Sequence, residues 1–312
     1  RIDQPDGDSF DFTGVKWLGR NLDISTAVSA RAFADARHAP QSGASQQYLG
    51  MGRNQPVFAS TKVAAIRGGQ RNGDGSCQWP LNQWNSPISD RELLEARSLV
   101  GTQVSELITG AAFTDTAILS KGDISDFRIL HFATHGLVTA PSPSCPAKPA
   151  LVTSFGDDGS DGLLAFDEIF DLKLDADIII LSACDTAGKA SITATRAAGV
   201  SSGGGTALDG LVRSFIGAGG RSVLASHWPA PDEFRATERL INGLFNDGRG
   251  QSIAEALRQS QLDLMDDPVT SHPFYWAGFA LIGDGSRTFL PSSTSLATSD
   301  APSARITKPA LK

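Results

Sequence analysis

The 312-residue chain predicts an α/β fold, a mostly parallel sheet with helices on both faces. Three observations carry that prediction. Ile178, Ile179, Ile180 and Leu181 form an apolar, β-branched run entered from a charged turn at 173–177, the pattern of a strand buried on both sides. Residues 128–133 hold a second such run. Around both, stretches of helical period alternate with further short apolar runs, and that alternation implies right-handed βαβ crossovers.

Residues 1–88 are the least patterned. Residues 25–33 read as a short helix with a Ser or Thr cap, and 57–66 as one or two strands. The stretch 67–87 is loop-like, with Gly68, Gly69, Gly73, Gly75 and Pro80, and its Trp79 and Trp84 are expected to pack on the core rather than form a ligand platform. Ser89-Asp90-Arg91-Glu92 spells a capping box that opens a helix carrying Leu93, Leu94, Ala96 and Leu99. A strand is expected at 104–108, a helix around Ala117 to Leu119 capped near Thr114, a strand from about Phe127, a short strand at 150–152 and a helix at 166–170. Leu208, Leu211, Val212 and Phe215 follow a helical stripe that ends in Gly217-Ala218-Gly219-Gly220, suited to a left-handed cap. A strand at 221–226, two amphipathic helices and a last strand at 276–282 complete the pattern. The Ser/Thr/Ala/Pro-rich stretch from 286 to 312 is expected to be a disordered tail.

Composition narrows the function. A formal charge of −7 argues against nucleic-acid binding, and no segment has the length of a membrane span. Three cysteines at unrelated spacings (Cys77, Cys145, Cys184) fit a reducing, cytoplasmic setting better than a disulfide framework. No Cys and His residues cluster as zinc ligands, and no metal or cofactor is expected. Residues 183–190 lack the first Gly and the Ser or Thr of a phosphate loop. Gly199-Val200-Ser201-Ser202-Gly203 has the spacing of a nucleophile elbow, but no strand leads into it and no helix follows.

The chemistry concentrates at strand ends. In parallel α/β sheets ligands collect at the C-terminal edge of the strands. The 178–181 run leads to Cys184 and the 128–133 run to His135-Gly136; side by side, these strands set a thiol next to a base. An imidazole raises the thiolate fraction or takes the thiol proton during attack. Gly136 lets a carbonyl approach closely, and its N–H and that of Cys184 suit an oxyanion hole. The alternative is that Cys184 is a small buried apolar residue and His135 a satisfied turn histidine.

Four blocks carry a resemblance: 127–136 (FRILHFATHG), 181–186 (LSACDT), 219–229 (GGRSVLASHWP) and 272–284 (HPFYWAGFALIGD). In this order they resemble the CHAT domain, a caspase-like family of clan CD cysteine peptidases often appended to tetratricopeptide arrays. The resemblance covers about 89–285, with 1–88 matching more loosely as an N-terminal part of the same region. It implies a caspase-haemoglobinase-like fold with His135 and Cys184 as dyad. The chain would then be a cysteine endopeptidase working through a thioester acyl-enzyme on protein or peptide substrates bound as an added strand. An upstream tetratricopeptide or sensor domain would be a partner. The other class is a catalytically silent module that binds partner peptides or sensor repeats. The family's usual acidic residue before the Phe215 helix is absent from Gly203-Gly204-Gly205-Thr206. The Gly/Ser/Thr/Ala-rich stretch 187–206 reads as an activation segment, with Arg196 as a cleavage point. Asp185 and Asp232 suit either a pocket for a basic side chain or caps and turns, and Trp228 either a cleft wall or packing. His131 reads as a core histidine, and His227 is a reserve base.

Overall fold

A computed structural model describes residues 11–57, 82–137, 149–156, 159–182, 206–228 and 233–292. Its main sheet has six strands: β1 (Gln46–Asn54), β2 (Ser105–Gly110), β3 (Phe127–Ala133), β7 (Ile178–Leu181), β8 (Ser222–Ser226) and β9 (Phe279–Gly283). They lie in the order β2-β1-β3-β7-β8-β9, all parallel except β9, which runs antiparallel to β8. A smaller antiparallel sheet follows β3: β4 (Gly136–Leu137), β5 (Ala150–Val152) and β6 (Leu163–Ala165).

Side-chain alternation explains the layers. Leu49, Met51, Leu130, Phe132, Ile179 and Leu181 face one core with Phe215 and Ile169. These last two come from α6 (Thr206–Gly217) and α5 (Phe166–Asp171). Tyr48, Ile129, Ile178 and Ile180 face the other core. Three helices cover that side: α3 (Arg91–Val100), α7 (Ala236–Asp247) and α8 (Ile253–Met265). Every residue of β7 is fully buried, as its unbroken apolar run requires. This is the caspase-haemoglobinase-like arrangement that the resemblance implied. Thr114 caps α4 (Asp115–Leu119) through Ala117 N–H, and Gly219, at φ 115°, closes α6.

Several expectations are corrected. The helix near 25–33 is α1 (Ala30–His38), capped by Ser29, while Thr26 upstream bridges to Ile282. The N-terminal strand is β1, at 46–54; Val57 is outside any strand, and 58–66 lie outside the described residues. β1 carries glycines for closeness: a Cβ on Gly52 would sit 2.2 Å from the Ala133 carbonyl oxygen, and one on Gly50 2.6 Å from Leu107. The last strand starts at Phe279; Trp276 instead donates its indole N–H to the Ser271 carbonyl. Within the expected tail, Phe289 and Leu290 are buried and the Arg287 guanidinium donates to the Ala36 and Ala39 carbonyls at the end of α1. Residues 293–312 lie outside the described residues.

The capping box does not form. Ser89 accepts from Arg91 N–H, and Glu92 turns into the core, 3.3 Å from Nε2 of His131. A fully buried imidazole needs polar partners: the Tyr48 hydroxyl supplies one, 3.0 Å from His131 Nδ1, while Glu92 approaches Nε2 without hydrogen-bond geometry. Burial, and then the charge of Glu92, push the Tyr48 phenol well above its ordinary range.

Two outcomes follow. Gly52→Ala should destabilise by about 2–3 kcal/mol in urea unfolding, since backbone must move to admit the methyl group; a change below about 0.5 kcal/mol contradicts this packing. The folded state holds the Tyr48 proton more tightly than the unfolded chain does. That stabilisation is therefore complete below the ordinary tyrosine range and is lost as pH rises through it towards the folded value. Tyr48→Phe should cost about 1 kcal/mol at neutral pH and flatten the alkaline loss of stability. Equal alkaline slopes in both proteins contradict a buried phenol.

Candidate active site

The C-terminal ends of β1, β3, β7 and β8 come to one edge of the main sheet. β3 and β7 are neighbours, with Ile129 opposite Ile178 and Phe132 opposite Leu181. Beyond the ladder, Ser182 N–H donates to the Phe132 carbonyl at 2.9 Å, so the pairing continues to the rim. Ser182 is buried there. Cys184 and Asp185 lie outside the described residues, as do Asp232, Cys77, Cys145, Trp79 and the segment around Arg196.

His135 is half-buried, and both neighbouring chain segments fix its backbone. The Thr134 hydroxyl donates to the Val152 carbonyl, and Val152 N–H donates to the His135 carbonyl at 2.8 Å. Gly136 is buried in β4 opposite Leu151, so the residues after the imidazole enter the smaller sheet.

Among the described residues the ring has one close polar contact: Nε2 stands 2.6 Å from the Ser86 carbonyl oxygen. A carbonyl only accepts, so Nε2 carries the proton. In the neutral ring Nδ1 then holds the lone pair. Nδ1 is buried and has no hydrogen-bond partner among the described residues. The basic nitrogen of the neutral ring is thus withheld from water and from the described protein groups.

The Ser86 carbonyl is a functional group that sequence reasoning missed. It belongs to the backbone, and the identity of Ser86 does not advertise it. The local signal is Ser86-Pro87, because a residue before proline is held extended. The helical turn before it, α2 (Asn82–Asn85), is anchored through Trp84, which is fully buried. The Trp84 indole N–H donates to the Gly162 carbonyl at 3.1 Å, and its ring packs on Phe155. The expectation of a packing role holds for Trp84.

The other candidates separate by place. His131 lies inside β3, in the buried cluster with Tyr48 and Glu92. His227 follows β8 and is exposed; its backbone N–H donates to the Gly278 carbonyl. Trp228 is half-buried, and its indole N–H donates to the Phe274 carbonyl at 3.0 Å. A Cβ on Gly278 would fall 2.9 Å from that ring, so Trp228 rests flush on the β9 approach. No group of three or more His, Cys, Asp or Glu suited to a metal ion occurs among the described residues. No helix among them is long and apolar enough to cross a membrane.

Comparisons with known proteins give relatives, structural neighbours and a family. Tetratricopeptide repeat protein 28 of Homo sapiens is 27% identical over 277 residues, covering 77% of this chain and 10% of that protein. Its Mus musculus counterpart is 25% identical over 280 residues, with the same coverage. The chain therefore spans about a tenth of the length of these relatives. Among solved structures, the Arg-specific cysteine proteinase gingipain R superposes with a TM-score of 0.43 at 11% identity, over 78% of this chain and 48% of that one. The complex of pro- and mature domains from Porphyromonas gingivalis gives 0.42 at 9% identity, with the same coverage. The CHAT domain family model matches residues 4–284, nearly the whole chain, and the chain accordingly belongs to the CHAT domain family, within the caspase-like clan CD superfamily.

Proposed function

We propose that the chain is a caspase-like module that binds extended peptide segments or sensor repeats of partner proteins, with tetratricopeptide repeats as its neighbours in a longer protein. The observation that carries this reading is family membership over residues 4–284, joined to relatives that are named for such repeats. An extended segment would add as a strand beside β4, which pairs only with β5 among the described residues and directly follows His135. In this reading no bond is broken, and the fold serves as a receiver.

One specific observation favours a second reading, a cysteine endopeptidase. With the Ser86 carbonyl on Nε2, the Nδ1 lone pair of His135 is buried and without a partner among the described residues. The β3–β7 register supports Cys184 as its partner. Each β7 residue lies opposite the β3 residue 49 positions earlier, and His135 and Cys184 have that same separation. In this mechanism Nδ1 takes the Cys184 proton as the sulfur attacks the scissile carbonyl. The N–H groups of Gly136 and Cys184 hold the oxyanion, and the imidazolium then protonates the leaving amine. Water hydrolyses the thioester, with His135 again as base. Asp185 and Asp232 would face a basic side chain, and Trp228 would wall the cleft. Arg196 would be the cleavage point of an activation segment.

An electrophilic peptide probe separates the readings, because a competent thiolate is alkylated and an inert thiol is not. Under the peptidase reading, mass spectrometry finds the probe on Cys184. Cys184→Ala then abolishes labelling and turnover of a peptide library with the melting temperature unchanged, and His135→Ala slows labelling by at least about a hundredfold. A folded wild-type chain that binds partner peptides but neither labels nor cleaves leaves the receiver reading. Turnover that survives Cys184→Ala contradicts the dyad.

A further inference from the structure

We infer that Asn54 and Trp84 are positioning residues that hold the Ser86 carbonyl against His135 and so fix which ring nitrogen carries the proton. The inference deepens the peptidase reading, but its main readout does not depend on turnover.

The ties on the turn begin at the end of β1. The parallel ladder pairs Gly52 with Thr109 and then Asn54 with Gly110, so Arg53 is an extra residue in the strand. Arg53 has φ 50°, in the left-handed region that a non-glycine residue rarely adopts. A bulge of this kind re-aims the next side chain. Here the guanidinium points outward to Asp90, and Asn54 is turned in until it is 1% exposed.

Buried, Asn54 gives its amide N–H to the Trp84 carbonyl at 2.9 Å. Three residues on, Val57 N–H donates to the Asn85 side-chain oxygen at 2.9 Å. The turn before Ser86 is thereby tied at two consecutive residues, Trp84 to the end of β1 and Asn85 to the segment that leaves it. Its third tie, from the Trp84 indole to Gly162, joins it to the stretch that enters β6. Gly162 has φ 78°, and a Cβ there would sit 2.8 Å from the indole nitrogen, so the two residues are fitted to each other.

The arrangement looks built for the carbonyl rather than for core packing alone. Asn85 and Ser86 are both exposed, so no apolar contact of their own holds them in place. Asn54 keeps its own amide oxygen buried without a partner among the described residues, a cost that an apolar residue would avoid. What the amide obtains in exchange is a fixed Trp84 carbonyl, two residues from the one that meets Nε2.

Imidazole ¹⁵N spectra of the histidine-labelled full chain, with the ring neutral, read the tautomer directly. His135 is identified among the five histidines by its loss in His135→Gln. Wild type should show a single tautomer with the proton on Nε2. Asn54→Leu, which keeps the volume and removes the donor, should move both ring shifts towards a mixture of tautomers. Thermal melting establishes that the variant is folded; should it not fold, Trp84→Phe, which loses only the indole tie, is measured by the same readout. A folded variant with the wild-type tautomer overturns the inference, and so does a mixed tautomer in wild type. Electrophile labelling is followed on the same samples. Where wild type labels, Asn54→Leu should slow labelling by about tenfold or more. A fixed, Asn54-dependent tautomer without labelling removes the peptidase reading and leaves the positioning role standing.

Discussion

The structure depends on one pairing, that of β3 with β7 at the centre of the sheet. Both strands are buried on both faces, so their backbone groups can be satisfied only by neighbouring strands. The register is set at the entry end by charge. Arg128 donates twice to Asp177, at 2.6 and 2.9 Å, while Asp177 N–H donates to the Arg128 carbonyl at 2.8 Å. At the exit end the Ser182–Phe132 bond holds it. A slip of one residue would exchange the two cores, placing Ile178 where Ile179 belongs and breaking the ion pair at once. The chemistry proposed at the rim inherits its alignment from this pairing.

Around that axis, the setting of His135 is assembled from parts distant in sequence. The imidazole comes from the end of β3, its acceptor from the turn at 84–86, and the ties on that turn from β1 and from Gly162. The smaller sheet holds the backbone of His135 through Val152. Four segments thus converge on one ring, which is how a strand end gains the rigidity that a loop residue lacks. The second polar cluster, His131 with Tyr48 and Glu92, sits one helix layer behind. It ties α3 to β1 and β3, so the helix that follows Ser86 is itself fixed to the strands that carry the site.

The sequence was legible where burial is written in side chains. The β7 run, the stripe of α6 and the Thr114 cap follow from hydrophobic period and cap chemistry, and so the parallel sheet could be read. β1 was not legible because it opens on the polar pair Gln46-Gln47 and carries Gly50 and Gly52, which have poor strand propensity. Its glycines serve close approach to Ala133 and Leu107, a tertiary demand invisible along the chain. The Ser89–Glu92 pattern misled because the Glu92 side chain is buried beside His131 and does not turn back to the helix N-terminus. Within the site, His135 could be named from its place at a strand end. The Ser86 acceptor could not, since a backbone carbonyl has no letter of its own, and Asn54 was hidden because a bulge at Arg53 aims it.

The proposal that depends most on this pairing is that residue 135 and residue 184 meet across neighbouring strand ends, the geometry on which the peptidase reading stands or falls. Adjacent strands lie about 4.8 Å apart, and a disulfide needs Cα atoms within about 7 Å. The most direct measurement is cross-linking of a His135→Cys variant in a Cys77→Ser, Cys145→Ser background under mild oxidation, mapped by peptide mass spectrometry. The account predicts rapid, intramolecular formation of a 135–184 disulfide with the fold retained. A folded protein in which both thiols stay free, or bridge only between molecules, would contradict it.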